Sequence, residues 1–145
     1  MPTAIVEDNI LKVSTFANYQ ALPKQRAFHS SPAKYRLYIG AWRAGKTYAG
    51  CIEAYSQSTI PKNCGIIFRK DYTDLRDTTM KTFFEVVPPE DILEFNKTEH
   101  KVTLINGSEI YFRHLKEGLK LGSLNLGFFF VDEAEEVSEE IFITL

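Results

Sequence analysis

Apolar residues in this chain fall into short blocks whose spacing alternates between a helical and an extended period. Residues 1–23 show neither period and read as an irregular segment ending at Leu22-Pro23. Residues 24–31 suit a short helix, stopped by Pro32, which cannot continue one. Tyr35-Arg36-Leu37-Tyr38-Ile39 is aromatic and β-branched, the composition of a strand. A small-residue loop, Gly40 to Gly45, separates it from a helix beginning at Lys46. That helix runs to about Gln57, with Ala49, Cys51, Ile52, Ala54 and Tyr55 as its apolar positions. Pro61 and Asn63 punctuate the chain before Gly65-Ile66-Ile67-Phe68-Arg69, a second buried strand. Residues 71–87 form an amphipathic helical pattern closed by Pro88-Pro89. Val102-Thr103-Leu104-Ile105 and Glu109-Ile110-Tyr111-Phe112 flank Asn106-Gly107, a strong hairpin signal. Phe128-Phe129-Phe130-Val131 is wholly apolar, as expected of a central strand covered on both faces. An acidic segment, 132–140, follows, and residues 141–145 look helical. Strands alternating with helices predict an α/β fold with a largely parallel sheet and one antiparallel hairpin insertion.

Composition narrows the class. The 145 residues are 44% hydrophobic and 13% aromatic with a net charge of −2, which fits one globular domain and argues against disorder. No apolar run approaches the roughly 20 residues needed to span a bilayer. The opening residues put no basic stretch ahead of an apolar one, so they do not read as a secretory signal. Cys51 and Cys64 have neither zinc nor disulfide spacing and read as reduced core thiols of a cytoplasmic protein, not a secreted one.

Charge is distributed unevenly. Residues 1–70 carry ten Lys or Arg against three Asp or Glu, a balance of +7. Residues 71–145 carry seven against sixteen, a balance of −9. A basic half beside an acidic half suits a site holding a polyanion together with a metal ion, though solvated acidic helix faces would give the same count.

Gly40-Ala41-Trp42-Arg43-Ala44-Gly45-Lys46-Thr47 fits G-x-x-x-x-G-K-[ST] between the expected strand and helix. Gly40 and Gly45 permit backbone angles and a close approach that a Cβ would block. The N–H groups of the loop and of the helix start face an anion, with Ala41, Trp42, Arg43, Ala44 and Tyr48 on the nucleotide's path. Lys46 supplies a mobile cation for the β- and γ-phosphates, and Thr47 a hydroxyl for Mg²⁺. Arg43 is either a second cation for charge on the γ-phosphate or a solvated arginine. A chance glycine-containing strand–helix turn is the bland alternative.

Four apolar residues then run into Asp132-Glu133. A parallel strand delivers its C-terminal end to the ligand-binding edge of a sheet. Asp132 there would hold Mg²⁺ through water, and Glu133 would orient or deprotonate an attacking water. The competing explanation is a strand entering an acidic helix start. Weaker candidates surround these two motifs. Gln25 could bond an adenine edge, and Trp42 could stack or merely cover the loop. Arg69 ends the second strand on the same edge. Lys70, Arg76 and Lys81 could meet nucleic-acid phosphates. His29, His100 and His114 lack ligand spacing and read as structural or solvated.

Taken in order, these motifs resemble the large terminase subunit of tailed bacteriophages, the ATPase that packages DNA. The likeness runs through Pro23-Lys24-Gln25-Arg26-Ala27-Phe28-His29 and through residues 35–47 with the extra Arg43. It continues through Phe68-Arg69-Lys70 with Asp74-Leu75-Arg76-Asp77-Thr78. It ends in the block from Asn106-Gly107 through Leu124-Asn125-Leu126-Gly127 to Val131-Asp132-Glu133-Ala134-Glu135-Glu136-Val137. The resemblance implies a P-loop NTPase fold of the RecA/ASCE-like kind, with residues 24–145 as a single partial ATPase core behind the segment 1–23. It implies ATP and Mg²⁺ as cofactors and an adenine-side role for Gln25. It further implies double-stranded DNA, a portal protein and a small terminase subunit as partners of a homo-oligomeric ring in the bacterial cytoplasm, with no membrane role. Two departures stand out. Lys120-Leu121-Gly122-Ser123 replaces a stretch where members often carry a basic residue directed at a neighbouring subunit, and Lys120 is a weak stand-in. The chain also ends about a dozen residues after Glu133, so the expectation is an ATPase core incomplete at its C-terminus with the nuclease domain absent. Two rivals remain open: a nucleotide-binding piece without turnover, and another P-loop motor such as a helicase-like ATPase.

Overall fold

A computed structural model describes residues 4–7, 10–13, 19–41, 45–115 and 124–143, with backbone alone for 4–13, 142 and 143. Where the sequence pattern suggests an irregular start, two strands, β1 (Ala4–Glu7) and β2 (Ile10–Val13), pair antiparallel as a sheet of their own. Helix α1 (Pro23–Ser30) begins on a proline, which suits a first turn whose N–H would be unpaired. Helix α2 (Lys46–Gln57) matches its predicted span.

Five strands form the main sheet, in the order β4–β5–β6–β3–β7. They are β3 (Cys64–Arg69), β4 (Ile92–Asn96), β5 (Lys101–Leu104), β6 (Glu109–His114) and β7 (Phe128–Val131). β3 runs parallel to both β6 and β7, while β4–β5 and β5–β6 pair antiparallel. The sheet is therefore mixed and open, not largely parallel. The predicted hairpin is correct in place, but it is no insertion: its second strand, β6, lies inside the sheet against β3.

Two further expectations fail. Tyr35 to Ile39 is not a strand, and its side chains Tyr35, Leu37 and Ile39 are 67%, 73% and 76% exposed. Consequently β7 is not central. It is an edge strand of the described sheet, and its four residues are only half-buried.

Alternation along β3 divides the core in two. Ile67 faces a layer built from α2 and the helical segment after β3, with Tyr55, Leu75, Phe83, Val86, Val102 and Phe112. Ile66 and Phe68 face the opposite side, with Leu115, Phe129, Val131 and Ile141. These are the two faces that a period-2 strand creates.

The amphipathic pattern at 71–87 becomes one continuous but irregular rod. It starts as α3 (Tyr72–Asp74), widens into a six-residue π turn (Leu75–Met80), and closes as α4 (Lys81–Val86). Leu75, Thr79 and Phe83 have no exposed surface. A short 3₁₀ turn (Ala134–Glu136) and helix α5 (Glu139–Ile143) follow β7. Among the described residues, no helix is long and apolar enough to cross a membrane.

Candidate functional site

The site lies where β3 and β7 end side by side. Val131 is in register with Phe68, and the Asp132 N–H donates to the Phe68 carbonyl at 2.8 Å. The ladder therefore holds Asp132 one residue beyond its strand, beside Arg69, the last residue of β3. Asp132 is only 3% exposed.

The first turn of α2 meets this carboxylate. Thr47 Oγ1 donates to Oδ1 at 3.0 Å and to Oδ2 at 3.1 Å, across 85 residues of sequence. The Glu133 N–H reaches Oδ1 at 3.1 Å, and Thr79 Oγ1 reaches Oδ2 at 2.6 Å. Arg69 Nη1 stands 3.9 Å from Oδ2, with Arg69 Nε 3.7 Å from Glu136 Oε2. The acidic strand end thus meets the first turn of the helix that follows the glycine loop.

Gly45 starts α2 at φ +73°, a left-handed backbone that disfavours side chains, and a Cβ there would meet Gln25 Nε2 at 2.5 Å. Gln25 is 5% exposed and both ends of its amide are engaged: Oε1 accepts from the Leu22 N–H at 2.9 Å, and Nε2 donates to the Gly45 carbonyl at 3.1 Å. It clamps α1 onto the loop. Lys46 Nζ folds back to donate to the Gly40 carbonyl at 3.0 Å. Ala41 is exposed, and Tyr48, 40% exposed, packs its ring 5.7 Å from that of Tyr19. Trp42, Arg43 and Ala44 lie outside the described residues, as do Lys120 and its neighbours to Ser123.

Glu133 has φ +51°, a left-handed conformation for a residue with a side chain. Such strain concentrates at functional sites. A hydrogen bond shared with Glu135, then burial, then the charges of Glu135 and Asp132 push its carboxyl up to about 7, against the pull of Lys46. Glu135 is correspondingly lowered by the same hydrogen bond.

The remaining candidates sit elsewhere. His29 joins a polar knot behind the loop: its Nδ1 lies 2.8 Å from Glu53 Oε2, and Tyr19 Oη 3.1 Å from its Nε2. Arg36 Nη1 donates to Glu53 Oε1 at 2.8 Å. His100 lies 2.9 Å from Tyr72 Oη, with the His114 ring nearby. Arg76 pairs with Asp77 on the surface. Cys51 and Cys64 are free thiols, and burial raises Cys51 well above its usual range. Thr79 escaped the sequence reading, although a signal existed: it is a hydroxyl on the apolar stripe Leu75, Thr79, Phe83.

Chemically, the donors here are hard oxygens, a carboxylate and a hydroxyl, as Mg²⁺ prefers. No group of three or more His, Cys, Asp or Glu able to hold a metal occurs among the described residues. One protein carboxylate with a hydroxyl fits Mg²⁺ shared with phosphates and water, not a cage built by the protein alone. Lys46 and the start of a 12-residue helix supply the positive side.

Comparison with known proteins adds an independent finding. No curated protein and no solved structure matches the chain. Residues 37–144 match the family described as terminase large subunit, T4-like virus type, N-terminal. That match takes in the glycine loop, Thr79 and the Asp132-Glu133 pair. The chain belongs to the terminase large subunit family, as part of its T4-like N-terminal region, which suggests a role in phage DNA packaging.

Proposed function

We propose that this chain is the MgATP-binding and hydrolysing module of a phage DNA-packaging motor, with a P-loop NTPase core. One observation carries the reading: Thr47, at the end of a G-x-x-x-x-G-K-T loop, bonds the carboxylate of Asp132 at 3.0 Å. Sequence alone offers two motifs; their contact supports reading them as one site for phosphate and cation together.

In this mechanism Lys46 leaves the Gly40 carbonyl and pairs with the β- and γ-phosphates. The amides at the start of α2 would donate to the same oxygens, and the proposal assigns the loop from Gly40 to Gly45 to the same phosphates. Thr47 and Asp132 would hold Mg²⁺, which neutralises charge on the phosphates when bound. Glu133 accepts the proton of the attacking water. A carboxylate poised near neutrality suits a general base, because it is both ionisable and basic at working pH. Gln25 keeps α1 on the loop and leaves its second amide hydrogen for the base edge. Arg43 and Tyr48 complete the nucleotide's surroundings. In the assembled ring, in the host cytoplasm, turnover would move double-stranded DNA through a portal protein, with the small subunit assisting.

The test is phosphate release from MgATP by the protein and by Glu133→Gln. The expected loss is about 100-fold or more, with nucleotide binding retained. Turnover unchanged by Glu133→Gln removes that residue from the role, and absence of MgATP binding by the unaltered chain removes the reading.

A second reading, nucleotide binding without turnover, draws on the unpaired outer edge of β7 in the described sheet. An edge strand invites association with other chain segments. Tight MgATP binding with no phosphate release would favour it.

A further inference from the structure

The π turn at Leu75–Met80 interrupts an otherwise α-helical rod, and such turns often mark functional positions. Its fifth residue, Thr79, has no exposed surface. Two groups hold it. Cys51 Sγ of α2 approaches its carbonyl at 3.8 Å, and its own hydroxyl donates to Asp132 Oδ2 at 2.6 Å, the shortest of the hydrogen bonds to that carboxylate described above. Oδ2 also faces Arg69 at 3.9 Å, whereas Oδ1 takes the Glu133 N–H and shares Thr47. The two carboxylate oxygens therefore have different surroundings. Oδ2 is held by the rod, by the end of β3 and by Thr47 of α2, and Oδ1 by the acidic turn and the same Thr47.

We propose that Thr79 is a positioning residue for Asp132: from the π turn its hydroxyl donates to Oδ2, fixing the carboxylate against Thr47. A hydroxyl bonded to an ionised acceptor makes a strong contact in a dry setting, and groups that orient a metal-binding carboxylate commonly matter almost as much as the carboxylate.

The metal arm of the test rests on the proposed function; the unfolding arm does not. Denaturant unfolding without metal or nucleotide, on Thr79→Val, Asp132→Ala and the double variant, reads the contact alone. Thr79→Val is expected to lower the midpoint in the native background and to do so much less beside Asp132→Ala. Equal losses in both backgrounds overturn the proposal. Mg²⁺ titrated against ATP binding then reads the positioning. The half-saturating Mg²⁺ concentration should rise about tenfold in Thr79→Val and return to within about twofold of the native value in Thr79→Ser. An unchanged Thr79→Val, or a Thr79→Ser as impaired as Thr79→Val, also overturns it. If Thr79→Val does not fold, Thr79→Ala takes its place in both arms. Failure of the unaltered chain to bind MgATP counts against the proposed function, and the unfolding cycle still decides Thr79.

Discussion

Two stretches of similar composition lead toward this site, and only one of them is a strand. Tyr35 to Ile39 leads into the glycine loop and leaves Leu37 and Ile39 more than 70% exposed. Gly65 to Arg69 leads to the Asp132 pocket with Ile66, Ile67 and Phe68 wholly buried. Apolar and β-branched content is the same kind of signal in both. What differs is company: β3 has a parallel neighbour on each side and a packed layer on each face. The other segment pairs with no strand; Arg36 ties it to Glu53, and the rings of Tyr38 and Tyr35 meet Phe28 and Phe129. Strand propensity records a fit to neighbouring strands more than a preference of the backbone itself.

That contrast can be broken by truncation. Phe68→Ala should cost about 3–5 kcal/mol in denaturant unfolding, since a large ring leaves a closed core. Leu37→Ala should change stability by no more than about 0.5 kcal/mol in the same measurement, because water already covers that side chain. A comparable loss at both positions would mean that the 35–39 segment is packed in solution.

A second test falls between those extremes. Gly50 of α2 sits against the Phe130 ring, which occupies the space a Cβ would need. Gly50→Ala should therefore destabilise by about 1–3 kcal/mol through overpacking, read as a lower unfolding midpoint. Phe130→Leu beside it should recover part of the loss. This pair sharpens the comparison, because it asks how closely edge strand β7 is held by the helix that carries Lys46.

A pH-dependent effect concerns the charged tie of the exposed segment. Burial pulls the Glu53 carboxyl upward, but hydrogen bonds from His29 and Gln57 and the charge and hydrogen bond of Arg36 outweigh it, leaving it below its ordinary value. A depressed carboxylate contributes stability above its unfolded value of 4.5 and loses it as pH falls through the folded one. The melting temperature of Glu53→Gln should thus lie below that of the native chain at neutral pH, with the gap closing under acid conditions. A gap independent of pH would show that shape, not charge, fastens Arg36.

Much of the architecture was legible from pattern. The helix from Lys46, the strand ending at Arg69 and the hairpin around Asn106-Gly107 all declared themselves through period and turn chemistry. Strand β4 did not, because a register shift between Ile92 and Glu94 breaks the alternation and leaves Leu93 68% exposed. The sheet came out mixed because β6 pairs with β3 directly, a long-range choice that no local pattern encodes. At the candidate site, Lys46-Thr47 and Asp132-Glu133 stood out as two motifs, and the structure brings Thr47 and Asp132 into contact. Thr79 was hidden because its partner lies 53 residues away and nothing in its own neighbourhood names that partner.

The hairpin turn has a bearing on the far end of the molecule. Asn106 Nδ2 donates to the Ser58 carbonyl at 2.8 Å, and Ser108 Oγ to the Ile60 carbonyl at the same length, gripping the chain where α2 ends. Twelve residues of helix make a strut about 18 Å long, with Lys46 and Thr47 at its opposite tip. The strut is pinned at its base by a tight turn and at its head by the bond of Thr47 to Asp132. The turn and the Asp132 carboxylate are thus joined through one rigid helix, with no soft linker between them.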